Sequence, residues 1–295
     1  MSNGTTIRTL APAAALLVLL AGSYLALGVQ AIRASLRAAL QAWTLPARVL
    51  AGPAVLFAGI VAYAALDQLP VARVAALYAV YVGVPSLVLI AGAPVSERAP
   101  VAELLAVLAL WLPIEFRLVP PLPVPPPHGF NAAKFVGLAA GLHFFLLACP
   151  VPGVGYTFRL SRRDVWTALT ALALYAIVAI PVGLATGFLS WSPRLDVVRV
   201  VAAPVATYLV VAVPEEFLFR GLLQNLLERW IGGRSALAIA SVVFGLAHFP
   251  DPRYMLLAAV AGLAYGWVYE RTGKITASAI THALVDAVWI VLLRV

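Results

Sequence analysis

The sequence predicts an all-α, polytopic membrane helical bundle of about eight to ten transmembrane helices, and three observations carry that prediction. Apolar residues fill 63% of the 295 positions, against 11% charged ones. The mean hydropathy is +0.98, which excludes an ordinary soluble domain. The apolar residues also gather in runs close to the roughly 20 residues that a helix needs to cross a bilayer.

The net charge of +8 does not describe a nucleic-acid surface. Its basic residues stand in ones and twos between apolar runs, where they mark topology and anchor the chain to membrane lipids. No nucleic-acid partner is expected. The single cysteine, Cys149, excludes an internal disulfide and a cysteine-based metal site, and it is expected to behave as a small buried hydrophobe.

In chain order, the run at 10–29 follows Arg8 as a secretory signal would, but its length and the hydrophobic segments after it favour an uncleaved span. Gln30, Arg33, Arg37 and Gln41 then put one polar stripe on an otherwise apolar helix ending at Trp43, as for a helix lying in the interface or a simple connector. Further spans are expected at 49–66, 71–93, 101–114 and 133–149. Glu103 and Glu115 lie near the ends of the third of these and read as interfacial. The proline-rich stretch 119–129 is expected to be an extended, stiff spacer. His128 and His143 have no partner at ligand spacing, so neither is expected to do chemistry.

Arg159, Arg162 and Arg163 form a basic connector before a long span at 165–189, a turn at 190–196, and spans at 197–213, 235–249, 254–269 and 275–293. Alternating loops put twelve of the 20 basic residues on the side that carries the end of the 197–213 span, which makes that side cytoplasmic. No internal repeat is visible, which argues against an inverted-repeat transporter.

Three polar insertions break this apolar pattern. In Val213 to Arg220, VPEEFLFR, two carboxylates and an arginine meet a helix of a membrane protein, where an acidic residue costs at least roughly 2.5 kcal/mol. Pro214 lacks an amide donor and is expected to disturb the turn behind it and re-aim Glu215 into a cavity. Glu216 and Arg220 are four apart, the favourable order for an ion pair. Glu215 lies ~100° further round, without a local partner. Phe244 and His248 share a helical face on the second segment, as do His282 and Asp286 on the third. Polar side chains on three hydrophobic helices must meet one another or remain unsatisfied, and one shared intramembrane catalytic cavity is the simplest solution.

These groups suit amide hydrolysis, with a carboxylate in a partly apolar pocket as general base and further donors for the tetrahedral oxyanion. No G-x-S-x-G or H-E-x-x-H occurs, so neither a serine nucleophile nor an ordinary zincin helix is supported.

The motifs resemble those of the CPBP family, the CAAX prenyl endopeptidases and bacteriocin-processing (Abi-like) intramembrane proteases. The pattern E-E-x-x-x-R, F-x-x-x-H and H-x-x-x-N/D stands here as Glu215-Glu216 to Arg220, Phe244 to His248, and His282 to Asp286, in that order. The resemblance covers roughly 165–293. It implies a core at 161–295, behind an N-terminal transmembrane extension at 1–160 that matches nothing recognised. It also implies an intramembrane endopeptidase in the cell (inner) membrane, acting on a peptide or protein substrate that is membrane-associated or prenylated.

By the same resemblance Glu215 and His248 would activate water, Glu216 and Arg220 would hold the helix end, and His282 with Asp286 would form the oxyanion site. Asp286 stands where relatives carry asparagine, and an ionised carboxylate cannot donate to an oxyanion. It would be protonated, orient His282 or ligate a metal. No cofactor is expected, although Glu215, His248 and His282 also form a His₂Glu set of the kind that holds zinc. A non-catalytic scaffold and a proton-coupled transporter are the competing readings.

Overall fold

An apolar helix, a bend and an amphipathic helix open the chain, because Gly28 separates a hydrophobic run from an amphipathic one. The computed structural model describes residues 3–92, 100–124 and 131–294. Helix α1 (Asn3–Leu27) and helix α2 (Gln30–Gln41) meet at 100°. Helix α2 buries no residue, as expected of a helix in the interface. Its Arg33 donates to the Leu27 carbonyl at 2.9 Å and its Arg37 donates to the Leu146 carbonyl at 2.7 and 3.1 Å. Both cations thus meet carbonyls at helix ends, where the dipole favours them.

The chain divides into two compact units, residues 1–152 and 153–295. The first contains α1 and α2 with α3 (Leu45–Leu66), α4 (Val71–Gly92), α5 (Val101–Glu115) and α6 (Ala132–Ala148). Helix α6 is buried almost throughout and ends in a π turn, Phe144–Ala148. His143 on α6 lies 2.8 Å from the Arg48 carbonyl and leaves no room for a Cβ at Gly52, so it is a packing residue, as its spacing suggests. The proline-rich stretch is anchored where it is described: Tyr78 donates to the Pro120 carbonyl and Tyr63 to that of Pro123, both at 3.0 Å, and Val119 and Leu122 are buried. Residues 125–130, with His128, lie outside the described residues, as does Arg98.

The second unit contains α7 (Arg162–Ala185), α8 (Val198–Ile231), α9 (Gly233–Leu246), α10 (Pro252–Thr272) and α11 (Ile275–Leu292). A two-residue antiparallel bridge, Ser190–Trp191 with Leu293–Arg294, ties the segment after α7 to the end of α11. Helix α7 starts with a capping box between Ser161 and Asp164, and Asp164 also pairs with Lys274 at 2.7 Å. Helix α10 starts at Asp251, whose carboxyl accepts from the amide and guanidinium of Arg253; those hydrogen bonds hold it down to about 2. Pro214 does not interrupt α8. It follows the π turn Tyr208–Ala212, whose wider winding accepts a ring that an α turn would exclude, and a second π segment, Phe217–Gln224, follows.

Among the described residues five helices are long and apolar enough to cross a membrane (α3, α4, α7, α8 and α11), or six if the bent pair α1–α2 counts as one span. This is fewer than the eight to ten expected. The runs read at 101–114, 133–149 and 235–249 form helices of 15, 17 and 14 residues, shorter than the about 20 that a hydrocarbon core requires. Helix α10 carries Arg253, Glu270 and Arg271 toward its ends. The run at 197–213 is the first half of one 34-residue helix.

The second compact unit begins at residue 153, and residues 153–158 pack within it. Tyr269 donates to the Gly153 carbonyl and Thr276 to that of Thr157, each at 2.5 Å, and the Tyr156 ring meets Phe217 edge-on at 5.9 Å. Gly155, at φ +68°, passes so close to the Gly273 carbonyl that a Cβ has no place. Gly155→Ala is therefore expected to destabilise the second unit by about 1–3 kcal/mol, read as a lower melting temperature in detergent.

Candidate active site

The site grows from one buried carboxylate. Glu216 follows Pro214 on α8 and is fully buried, as is Arg220 one turn on. Arg220 donates to Glu216 Oε1 at 3.1 Å. From α11, His282 Nδ1 lies 2.9 Å from the same oxygen, and Ser278 Oγ lies 2.5 Å from Oε2. An ionised carboxylate only accepts, so His282 donates through Nδ1. The ring orientation of His282 is thereby set from α8, and Nε2 is turned to the other side.

On that side two further carboxylates approach. Glu215 Oε2 lies 3.9 Å and Asp286 Oδ2 3.7 Å from His282 Nε2. The Glu215 side chain keeps 21% of its surface and Asp286 31%, while His282 keeps 5% and Glu216 none. Adjacent residues in sequence are thus divided between two jobs: Glu216 is enclosed by donors, and Glu215 faces accessible space. His248 closes the group from the end of α9. Its Nδ1 lies 2.7 Å from the Phe244 carbonyl one turn back, so Nδ1 carries the proton of the neutral ring and Nε2 is its acceptor. The Phe244 ring centroid lies 4.8 Å from His248 and 5.7 Å from His282, which packs the two imidazoles around one phenyl ring.

All six residues singled out from the sequence, Glu215, Glu216, Arg220, His248, His282 and Asp286, therefore belong to one region of the second unit. Sequence reasoning missed those that support them. Tyr265 of α10 stacks on His282, with centroids 4.7 Å apart and planes 14° from parallel, and it also lies beside the Arg220 guanidinium at 5.2 Å. The Phe244 ring also meets that guanidinium, at 4.6 Å. Arg220 donates to the Gly262 carbonyl at 3.0 Å and Gln224 to that of Gly266 at 3.4 Å, two rungs one turn apart between α8 and α10. A Cβ at Gly262 would stand 2.9 Å from Ser241 Cα, so glycine is what lets α9 and α10 close to this distance. The Gly262/Gly266 spacing and Ser278, four residues before His282, were the available signals.

Among the described residues no group of three or more His, Cys, Asp and Glu is arranged to hold an ion. The Nδ1 proton of His282 goes to Glu216, and its Nε2 faces two carboxylates that stand 3.7 and 3.9 Å away.

Compared with known families, residues 197–288, about a third of the chain, match the type II CAAX prenyl endopeptidase Rce1-like model. The match spans all six residues above and is narrower than the 165–293 read from the motifs. No curated protein and no solved structure matches the chain.

Removing one partner of a buried ion pair strands the other charge. Arg220→Met is expected to lower stability by about 3–5 kcal/mol, whereas Glu215→Gln, at a partly exposed position, is expected to leave the melting temperature in detergent near that of the wild type.

Proposed function

We propose that this chain, a type II CAAX prenyl endopeptidase Rce1-like protein by its residues 197–288, is an intramembrane endopeptidase that hydrolyses a peptide bond in a membrane-associated or lipid-modified protein. The observation that carries this reading is the division of labour between two neighbouring carboxylates: Glu216 is sealed and orients His282, while Glu215 is half-buried, with accessible surface on the Nε2 side of the same imidazole.

Glu215 acts as general base, with His248 Nε2 accepting the second hydrogen of the same water to hold it in line. Glu215 takes one proton, the water oxygen bonds to the carbonyl carbon, and the π pair moves onto the carbonyl oxygen. Collapse of the tetrahedral intermediate restores the carbonyl and breaks the C–N bond. The amine departs with the proton that Glu215 carries. His282 donates to the developing oxyanion through Nε2 when both ring nitrogens are protonated, and Asp286 then steadies that imidazolium rather than donating itself. The mechanism uses no metal step. A substrate confined to the membrane fits a site framed by apolar helices, and a prenylated C-terminal tail is the substrate class that the family name suggests. The bias of basic residues favours a site near the cytoplasmic face.

The test compares peptide termini from membranes and medium of cells carrying the wild type or Glu215→Gln, which keeps the shape and removes the base. A defined set of termini is expected with the wild type and is expected to vanish with the variant at equal protein level. Coincident profiles from two folded, expressed proteins would replace the protease with a non-catalytic scaffold.

A further inference from the structure

The two oxygens of Glu216 are served unequally. Arg220 and His282 both reach Oε1, at 3.1 and 2.9 Å, whereas Ser278 Oγ lies 2.5 Å from Oε2. Ser278 and His282 are four residues apart on α11, so one helical face presents a donor to each oxygen of a carboxylate carried by α8. Ser278, Glu216 and His282 are all buried.

Donors on a single oxygen leave a carboxylate free to swing. The last torsion of a glutamate is broad and roughly two-fold, so partners rather than its own rotamer set the plane of the group. Bonds to Oε1 hold one atom, and a further bond to Oε2 defines the plane. The Ser278 hydroxyl hydrogen has two acceptors in reach, Glu216 Oε2 at 2.5 Å and the Tyr265 carbonyl at 2.8 Å. It goes to the nearer, charged one, at the length of a charge-assisted O–H···O⁻ bond. The plane matters because His282 donates through Nδ1 to Oε1, while its Nε2 faces Glu215 and Asp286 at 3.9 and 3.7 Å. A carboxylate that turned would release the ring to point either nitrogen at one of three acidic groups.

Resting on the protease reading above, we propose that Ser278 is a positioning residue for the hydrolysis: its hydroxyl fixes the plane of the Glu216 carboxylate, which keeps a proton on His282 Nδ1 and aims Nε2 at the substrate carbonyl. Ser278 touches no reacting atom, and no covalent bond to it is made or broken. Its effect passes through Glu216 to His282.

The experiment uses the full-length protein in detergent, labelled with ¹⁵N-histidine. The chain has four histidines, and the ring signals of His282 are identified by their loss in His282→Gln. Ser278→Ala is expected to change those signals from a ring protonated on Nδ1 to a mixture in which Nδ1 is in part bare. On a fluorescence-quenched peptide spanning the cleavage position defined by the Glu215-dependent termini, it is expected to lower kcat by about 10²-fold, with KM within about threefold of wild type. Thr281→Val is the matched control. It removes another buried hydroxyl of α11, which donates to the Ala168 carbonyl of α7 at 3.1 Å. It is expected to lower the melting temperature and to leave the His282 signals and kcat near those of the wild type. Ser278→Cys keeps a weak donor in place, is expected to fall between serine and alanine in both readouts, and replaces the alanine variant if that one does not fold.

His282 signals that coincide with the wild type in the serine variant overturn the proposal, as does a kcat within about threefold of it, and the protease reading stands in either case. An equal loss of kcat in Thr281→Val overturns it in favour of packing. Absence of any Glu215-dependent termini removes the protease reading and the hydrolytic role with it, while the histidine signals, which need no substrate, still tell whether Ser278 sets the ring.

Discussion

The buried Glu216 carboxylate is the interaction on which the second unit depends. Moving an ion out of water costs several kcal/mol even after relaxation, and only full compensation makes it tolerable. Here Arg220 and His282 meet one oxygen and Ser278 the other. The arginine that neutralises it in turn meets the rings of Phe244 and Tyr265 and the Gly262 carbonyl. Three helices besides α8 are therefore committed to a single charge: α11 through His282 and Ser278, α10 through Tyr265 and Gly262, and α9 through Phe244. Orientation of the imidazole is a by-product of satisfying that charge.

The same constraint explains the irregular winding of α8. A proline, two glutamates and an arginine within seven residues cannot all be served by one regular α-helix. The π segments on both sides of Val213–Glu216 absorb the proline and change the facing of the residues after it. Small residues do the rest. Gly262 and Gly266 open carbonyls to Arg220 and Gln224, and the alanines of α7 admit Thr281, so backbone atoms supply acceptors that side chains in an apolar bundle do not.

The accessible carboxylates lie on the other side of His282 from that charge. Glu215 and Asp286 retain accessible surface where Glu216 retains none, and His282 stands between the two groups with its proton direction already chosen. A preorganised donor in a site screened from bulk water stabilises developing charge more than it could in water. The cost of building the buried half is thus linked to the capability of the open half.

Much of this was legible in the chain itself. Local spacing put Glu216 with Arg220, Phe244 with His248 and His282 with Asp286 on shared faces, because a helix brings i and i+4 together whatever surrounds it. Composition alone required a membrane bundle, and the cost of intramembrane charge made the six polar residues suspects. The number of spans was not legible, since a short apolar run looks alike whether it crosses a bilayer or packs inside the protein. Only the tertiary structure decided that His282 turns its Nδ1 to Glu216 rather than to Asp286 on its own helix, and that residues 153–158 belong to the second unit. These are contacts between segments tens of residues apart, and no local periodicity encodes them.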